Sequence, residues 1–184
     1  MIRFIRENSR WLGAGMVLTV LSSFGQTFFI SVFAPVIQRD LGLSHAGWGL
    51  SYAAGTTLSA LIMVWAGGLT DRMRVRVLGP LVMGGLAIAC LAMALNPTAL
   101  LIPVVILGLR FFGQGMMTHV AMVAMARWFA RTRGRAISIA GLGYSIGEAL
   151  LPIAFGAAMG FVHWRVLWVV AGVAILAWIP VLVG

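Results

Sequence analysis

The sequence predicts an all-α membrane protein with six transmembrane helices, and three observations indicate this fold class. Of its 184 residues, 61% are hydrophobic and only 9% are charged, with a mean hydropathy of +1.03. A soluble domain carries about a quarter charged residues, so the composition excludes one. The apolar residues form six stretches, and arginines cluster in the short segments between them. At ~20 apolar residues per helix, the chain holds at most about six or seven spans and no large extramembrane domain.

Charge and turn signals bound the six predicted spans. These are residues 11–37, 47–70, 77–95, 98–128, 136–160 and 166–184. The first stretch follows a basic start, as a signal peptide does, but it is too long for that role and lacks a convincing cleavage site. No linker or low-complexity segment interrupts the series, so residues 1–184 are predicted to form one domain.

The arginines predict the orientation of the bundle. Ten of the 13 lie at the amino terminus or in the second and fourth connections: Arg3, Arg6, Arg10, Arg72, Arg74, Arg76, Arg127, Arg131, Arg133 and Arg135. Arg39 and Arg165 lie on the other side. Because positive residues are retained in the cytoplasm, the amino terminus is predicted to be cytoplasmic. The net charge of +9 is then explained by topology, and no nucleic-acid partner is expected.

One arginine and one glutamate lie inside the predicted spans. Arg110 is in the middle of the fourth span, and Glu148 is in the fifth. At 1.5 Å per residue, Arg110 lies about 10 to 18 Å and Glu148 about 18 Å below the same membrane face. Gln26 of the first span lies at about that depth. Because a charge at membrane depth is costly, we expect these side chains to share a midplane cavity.

Helical spacing predicts further members of this cavity. Gln114 lies four positions after Arg110, and Tyr144 lies four positions before Glu148. Ser145 is next to Tyr144. His119, nine residues after Arg110, belongs to another face of its helix. The aromatic residues around Gln26 are expected to supply an apolar wall; they are Phe24, Phe28, Phe29 and Phe33.

Two interpretations of the buried charges remain open. Arg110 and Glu148 form either an internal ion pair or a substrate and proton site, in which Arg110 attracts an anionic group and Glu148 exchanges protons. Two GxxxG pairs in the fifth span, Gly143 with Gly147 and Gly156 with Gly160, indicate close helix packing. The single cysteine, Cys90, excludes a disulfide or a cysteine-rich metal site within one chain, and no cofactor is expected.

The second connection carries a family signature. Residues 67–76 read GGLTDRMRVR, which resembles the motif between the second and third helices of the major facilitator superfamily. Gly67, Leu69, Asp71, Arg72 and Arg76 match that motif, whereas Arg74 stands where the family usually has glycine. RFFGQG at 110–115 resembles the fourth-helix motif of the superfamily, whose arginine faces the transport path. RWF at 127–129 with RGRA at 133–136 is similar to its connection before the fifth helix.

This resemblance implies the amino-terminal six-helix half, a 3+3 inverted repeat, of a twelve-helix secondary transporter. It also implies a cytoplasmic gate of Gly67, Asp71, Arg72 and Arg76, in which Asp71 engages Arg127 or Arg131. Residues 24–49 show a more distant resemblance to bacterial monocarboxylate or oxalate/formate-type porters. The expected partners are a small-molecule substrate, the lipid bilayer of the bacterial inner membrane and the missing carboxyl-terminal half.

Two alternatives remain beside this interpretation. A natural six-span protein that pairs with a second copy would rebuild a twelve-helix carrier. A rhomboid-like intramembrane serine protease is suggested by GYSIG at 143–147, which is a literal G-x-S-x-G. A nucleophilic Ser145 needs a base within hydrogen-bond reach, and the sixth span contains no histidine. We therefore expect the protein not to be an enzyme.

Overall fold

The computed structural model describes residues 2–183, with six helices long and apolar enough to cross a membrane. These spans 1 to 6 run Ser9–Leu41, His45–Arg72, Val75–Leu95, Ala99–Trp128, Arg133–Ala158 and Trp164–Leu182. A short helix, Ile2–Glu7, precedes span 1. The six predicted spans are confirmed. The largest difference between a predicted and an observed boundary is at the end of span 1, which was predicted at residue 37 and lies at Leu41. Gly184, the predicted end of the last span, lies outside the described residues.

Spans 3 and 5 are continuous α-helices, whereas the other four contain breaks or changes of helix type. Span 1 consists of helix Ser9–Ser22, a 3-10 turn Ser23–Gly25 and helix Thr27–Leu41. Span 4 consists of a 3-10 turn, an α-helix, a π-helix and a second α-helix: Ala99–Leu101, Ile102–Leu109, Arg110–Met117 and Thr118–Trp128. Span 2 joins His45–Ala66 to Leu69–Arg72, and span 6 joins Trp164–Ala177 to Ile179–Val183.

Local sequence explains the tight connection between spans 1 and 2. Gly42 adopts a left-handed conformation (φ 64°), which glycine reaches without steric cost, and so ends span 1. The N–H of Leu43 then donates to the carbonyl of Gln38. Ser44 begins span 2, because its hydroxyl accepts a hydrogen bond from the N–H of Gly47. Two caps therefore reverse the chain within a few residues.

Spans 1, 3 and 4 form the inner part of the bundle, and spans 2, 5 and 6 are more exposed. We call the membrane face that carries residues 3–10, 72–76 and 127–135 the arginine-rich face, and the other the opposite face. The largest fully buried side chains include Trp168, Phe29, Phe33, Met83 and Leu86. The exposed spans carry many apolar side chains, such as Leu50, Trp65 and Ile153. Such surfaces suit contact with lipid or further helices.

The predicted apolar wall around Gln26 is wrong for three of its four members. Phe24, Phe29 and Phe33 turn into the core, where Phe29 packs edge-to-face against Phe155 and Trp168. Only Phe28 lies beside a predicted site residue, with its ring centroid 5.6 Å from that of Tyr144. The break in span 1 rotates the following helix, so spacing counted along a continuous helix does not apply.

Of the two GxxxG pairs, only the first makes a close helix contact. A Cβ at Gly143 would lie 2.4 Å from the carbonyl oxygen of Met16, and one at Gly147 would overlap Ser23. Span 5 therefore crosses span 1 through these glycines, as predicted. The interpretation of Gly156 and Gly160 was wrong, because Cβ atoms there meet nothing of another helix closer than 3.8 Å.

A polar cluster joins four spans at the opposite face. The indole Nε1 of Trp164 donates to Asp40 at 2.6 Å, which ties the start of span 6 to the end of span 1. Arg165 donates to the carbonyls of Ala94 and Asn96 at 2.8 and 2.7 Å, between spans 3 and 4. These bonds fix the ends of the inner spans relative to one another.

Candidate functional site

The candidate site forms where span 1 is broken at mid-membrane. After the 3-10 turn Ser23–Gly25, Gln26 is extended (φ −86°, ψ 154°) and a new helix begins at Thr27. Serine and glycine are weak helix formers, so residues 22–25 locally favour this interruption. The break leaves backbone groups without helical partners, and such groups need other hydrogen bonds at membrane depth.

Arg110 supplies one of those hydrogen bonds and also donates to a side chain beside the break. Its Nη1 donates to the carbonyl of Gly25 at 3.4 Å and to the hydroxyl of Thr27 at 2.9 Å. Only 7% of Arg110 is exposed. Its Nε is buried without a partner, and no hydrogen bond from Nη2 is formed to the described residues. The guanidinium therefore bridges the break with one nitrogen and keeps its other donors unused.

A contact between two glycines allows Arg110 to reach the break. A Cβ at Gly25 would lie 2.1 Å from the carbonyl oxygen of Leu109, and one at Gly113 would lie 2.5 Å from the Cα of Gly25. Gly113 belongs to the π-helix Arg110–Met117. Spans 1 and 4 thus touch through their backbones. A side chain at either position would push Arg110 away from Gly25.

Both tyrosines of the sequence lie around Arg110. The hydroxyl of Tyr52 donates to Thr27 at 2.9 Å, and the Tyr52 ring lies 5.7 Å from the guanidinium carbon of Arg110. Tyr144 of span 5 interacts electrostatically with Arg110 and with Glu148. Thr27 and Tyr52 were not among the site residues predicted from the sequence. The available signal was that Tyr52, a rare residue in this chain, lies inside an apolar span close to the depth of Arg110.

The remaining predicted members surround this centre without bonding to Arg110. Glu148 is exposed on span 5 and forms no salt bridge with Arg110, so the structure does not contain the internal ion pair of the first interpretation. Gln26 is 6% exposed, and its amide has no hydrogen-bond partner among residues 2–183. Gln114 and Ser145 are exposed and likewise form no side-chain hydrogen bonds.

A second cluster lies at the arginine-rich face, on the signature residues. Arg127 donates from Nη2 to the Asp71 carboxylate at 2.5 Å and from Nη1 to the Thr70 carbonyl at 2.6 Å. Of the two predicted partners of Asp71, the structure therefore selects Arg127. Arg72, Arg76 and Arg131 are exposed and form no ion pair within the described part of the chain.

His119 supports this second cluster from span 4. Its Nε2 lies 3.2 Å from the carbonyl of Gly67 and 3.3 Å from the hydroxyl oxygen of Thr70. Because the Thr70 hydroxyl donates to Gly67, the oxygen of Thr70 is left to accept, and Nε2 carries the proton. His119 does lie on a face away from Arg110, as predicted. Its contact with the signature residues was not predicted, although its spacing of eight residues from Arg127 places both on one side of span 4.

The G-x-S-x-G sequence does not form a nucleophile site. Ser145 is exposed on span 5, and no base is within hydrogen-bond reach of its hydroxyl among the described residues. His119 is bound to Gly67 and Thr70, and His163 lies beside Asp40 at the opposite face. The glycines on either side of Ser145 instead contact span 1.

Comparison with known proteins adds one finding. A family model described as Major Facilitator Superfamily matches residues 15–184, which is most of the chain. No curated protein matches the chain.

Proposed function

Because the chain belongs to the major facilitator superfamily, whose members are membrane transporters, we propose that it moves a small organic anion across the membrane with proton coupling. The protein is an integral membrane protein with the six-helix bundle of this family. The proposal concerns the class of substrate, the coupling and the residues that perform them. The observation that carries it is the unused part of the Arg110 guanidinium at the break in span 1.

Three features of the break favour an anionic ligand. The Nε and Nη2 donors of Arg110 are unused, and this edge of a guanidinium matches the two oxygens of a carboxylate. The 15-residue helix Thr27–Leu41 begins here, so the positive end of its dipole lies at the same place. The amide of the nearly buried Gln26 has no partner and can donate to the same ligand. A small carboxylate would satisfy all three.

Glu148 is the proposed proton carrier. It is the only acidic residue of the described spans that lies more than two residues from the end of its span, and Tyr144 interacts electrostatically with both Glu148 and Arg110. Protonation of Glu148 changes the charge near Arg110 without breaking a salt bridge, because none joins them. Binding of an anion and binding of a proton would then favour each other.

Alternating access is proposed to occur by rocking of this bundle against a second six-helix unit. That unit is the carboxyl-terminal half of a longer protein or a second copy of this chain. The exposed apolar faces of spans 2 and 5 provide surface for it. We propose that the Asp71–Arg127 pair belongs to a gate at the cytoplasmic face of the bacterial inner membrane, with Gly67, Arg72, Arg76 and Arg131 around it.

The test is substrate counterflow in proteoliposomes that contain the protein with its complete reading frame. A panel of mono- and dicarboxylates is compared with the corresponding neutral amides, and Arg110→Lys is compared with Arg110→Gln. Anion transport predicts exchange of one or more carboxylates but not of the amides, with Arg110→Lys weakened and Arg110→Gln inactive. Arg39→Gln, which removes an exposed arginine at the opposite face, is the matched control. Equal exchange of amides and carboxylates would refute the anion proposal.

A further inference from the structure

A groove separates spans 1 and 6 at the arginine-rich face. Span 6 packs mainly on span 3, and the first helix of span 1 packs on spans 4 and 5, so these two helices leave a groove between them in the described part of the chain. Gly13 and Ala14 line it from span 1, and a Cβ at Gly13 would meet nothing within 4 Å. Trp178 and Val181 line it from span 6.

The groove consists of two adjoining cavities that differ in character. The lateral cavity, of about 250 Å³, continues along Gly13, Val17 and Trp178 and is mainly apolar. The cavity nearer the membrane face, of about 110 Å³, includes Arg76 and the paired rings of Trp11 and Trp128, whose centroids are 4.8 Å apart. Four residues line both cavities: Arg10, Ala14, Val181 and Leu182. A positive end therefore leads directly into an apolar channel.

We propose that this groove binds one anionic phospholipid of the adjacent leaflet. The phosphate binds Arg76, and one acyl chain follows the lateral cavity past Gly13 toward the middle of the membrane. Arg76 forms no hydrogen bond or ion pair with the described residues, so its charge is available to the phosphate. Indole rings at this depth match the usual position of tryptophan at the headgroup level.

Charge favours a lipid over a protein segment as the occupant. The sequence has ten arginines on this side, against Glu7 and Asp71, and Asp71 already binds Arg127. A second copy of this chain would bring another arginine-rich face to the groove. An anionic lipid is the occupant that neutralises the charge and fills the apolar channel at once. The lipid would also contact the start of span 3 at Val75, which is four residues after Asp71.

The test is a titration of the purified protein with phosphatidylglycerol, followed by native mass spectrometry of the lipid-bound species. Phosphatidylcholine with the same acyl chains is titrated in parallel, and inorganic phosphate and glycerol 3-phosphate are tested as competitors. We expect phosphatidylglycerol to bind at least tenfold more tightly than phosphatidylcholine. Loss of the charge in Arg76→Gln should weaken phosphatidylglycerol binding about fivefold, from about 1 kcal/mol for one arginine.

Two further variants separate this site from the general charge of the surface. Arg133→Gln removes the same charge from the same face outside the groove and should change binding less than twofold. Gly13→Leu keeps every charge and fills the lateral cavity, and it should weaken the binding of phosphatidylglycerol at least tenfold. Equal losses in Arg76→Gln and Arg133→Gln would overturn the proposal in favour of diffuse attraction. Unchanged binding in Gly13→Leu, with full competition by glycerol phosphate, would indicate a phosphate site without an acyl chain. A protein dimer abolished by Gly13→Leu would assign the groove to a second copy.

Discussion

Substitution of Gly25 by alanine tests the contact on which the candidate site depends. The added Cβ would lie 2.1 Å from the carbonyl oxygen of Leu109 and 2.6 Å from the Cα of Gly113. Ordinary contact distances are about 3.5 Å, so spans 1 and 4 must separate by about 1 Å. The bond from Arg110 to the Gly25 carbonyl, already 3.4 Å long, would then be lost.

The expected cost follows from these two effects. Overpacking typically costs about 1–3 kcal/mol, and a lost hydrogen bond to a charged group costs about 1.5–3 kcal/mol. Because this bond is long, we take a total of about 3 kcal/mol. For a protein of this size, that corresponds to a fall in Tm of about 6–12 °C. Substrate affinity should fall as well, because Arg110 loses one of the groups that orient it.

The single cysteine provides the assay. Cys90 is fully buried in span 3, so a thiol-reactive fluorophore reports unfolding during a temperature ramp in detergent. Gly84→Ala is the matched control, because a Cβ there meets nothing within 4 Å. Alanine in a helix should raise its stability by about 0.5–1 kcal/mol. If Gly25→Ala unfolds at the same temperature as Gly84→Ala, the glycine contact does not hold spans 1 and 4 together as described.

Three other substitutions test separate parts of the structure. Asp71→Asn should change the free energy of unfolding by less than about 1 kcal/mol, because its ion pair with Arg127 is exposed. The same substitution should increase the labelling of cysteines introduced beside the pair, and unchanged labelling would remove the gate assignment. Glu148→Gln should abolish proton-driven uptake and preserve counterflow, and intact uptake would contradict the proton role. Trp164→Phe should lower the free energy of unfolding by about 1–3 kcal/mol, because the nearby Asp40 carboxylate loses its indole donor. Thermal unfolding measures this change, and an unchanged stability would show that the bond does not hold span 6 in place.

The sequence alone predicted the spans, because they depend on the length and composition of apolar helices. It also predicted the approach of Gly143 and Gly147 to another helix, and the family resemblance narrowed the partner of Asp71 to Arg127 or Arg131. The sequence did not predict the break at Gln26 or the π-helix that begins at Arg110.

These two irregularities explain the errors at the site. Nearness in sequence placed Phe29 and Phe33 around Gln26, whereas both pack into the core on the helix that begins after the break. The same criterion gave no reason to select Thr27, which begins that helix and accepts hydrogen bonds from Arg110 and Tyr52. Local propensity allows an interruption at Ser23–Gly25 but does not require one.

The contact of Gly25 with Gly113 also has a mechanical meaning. Because no side chain separates the two backbones, a small change in their crossing angle at this contact would move the two ends of each helix in opposite directions. Spans 1 and 4, of 33 and 30 residues, are the longest of the six described spans, so their ends would move furthest, and the guanidinium of Arg110 lies beside the contact.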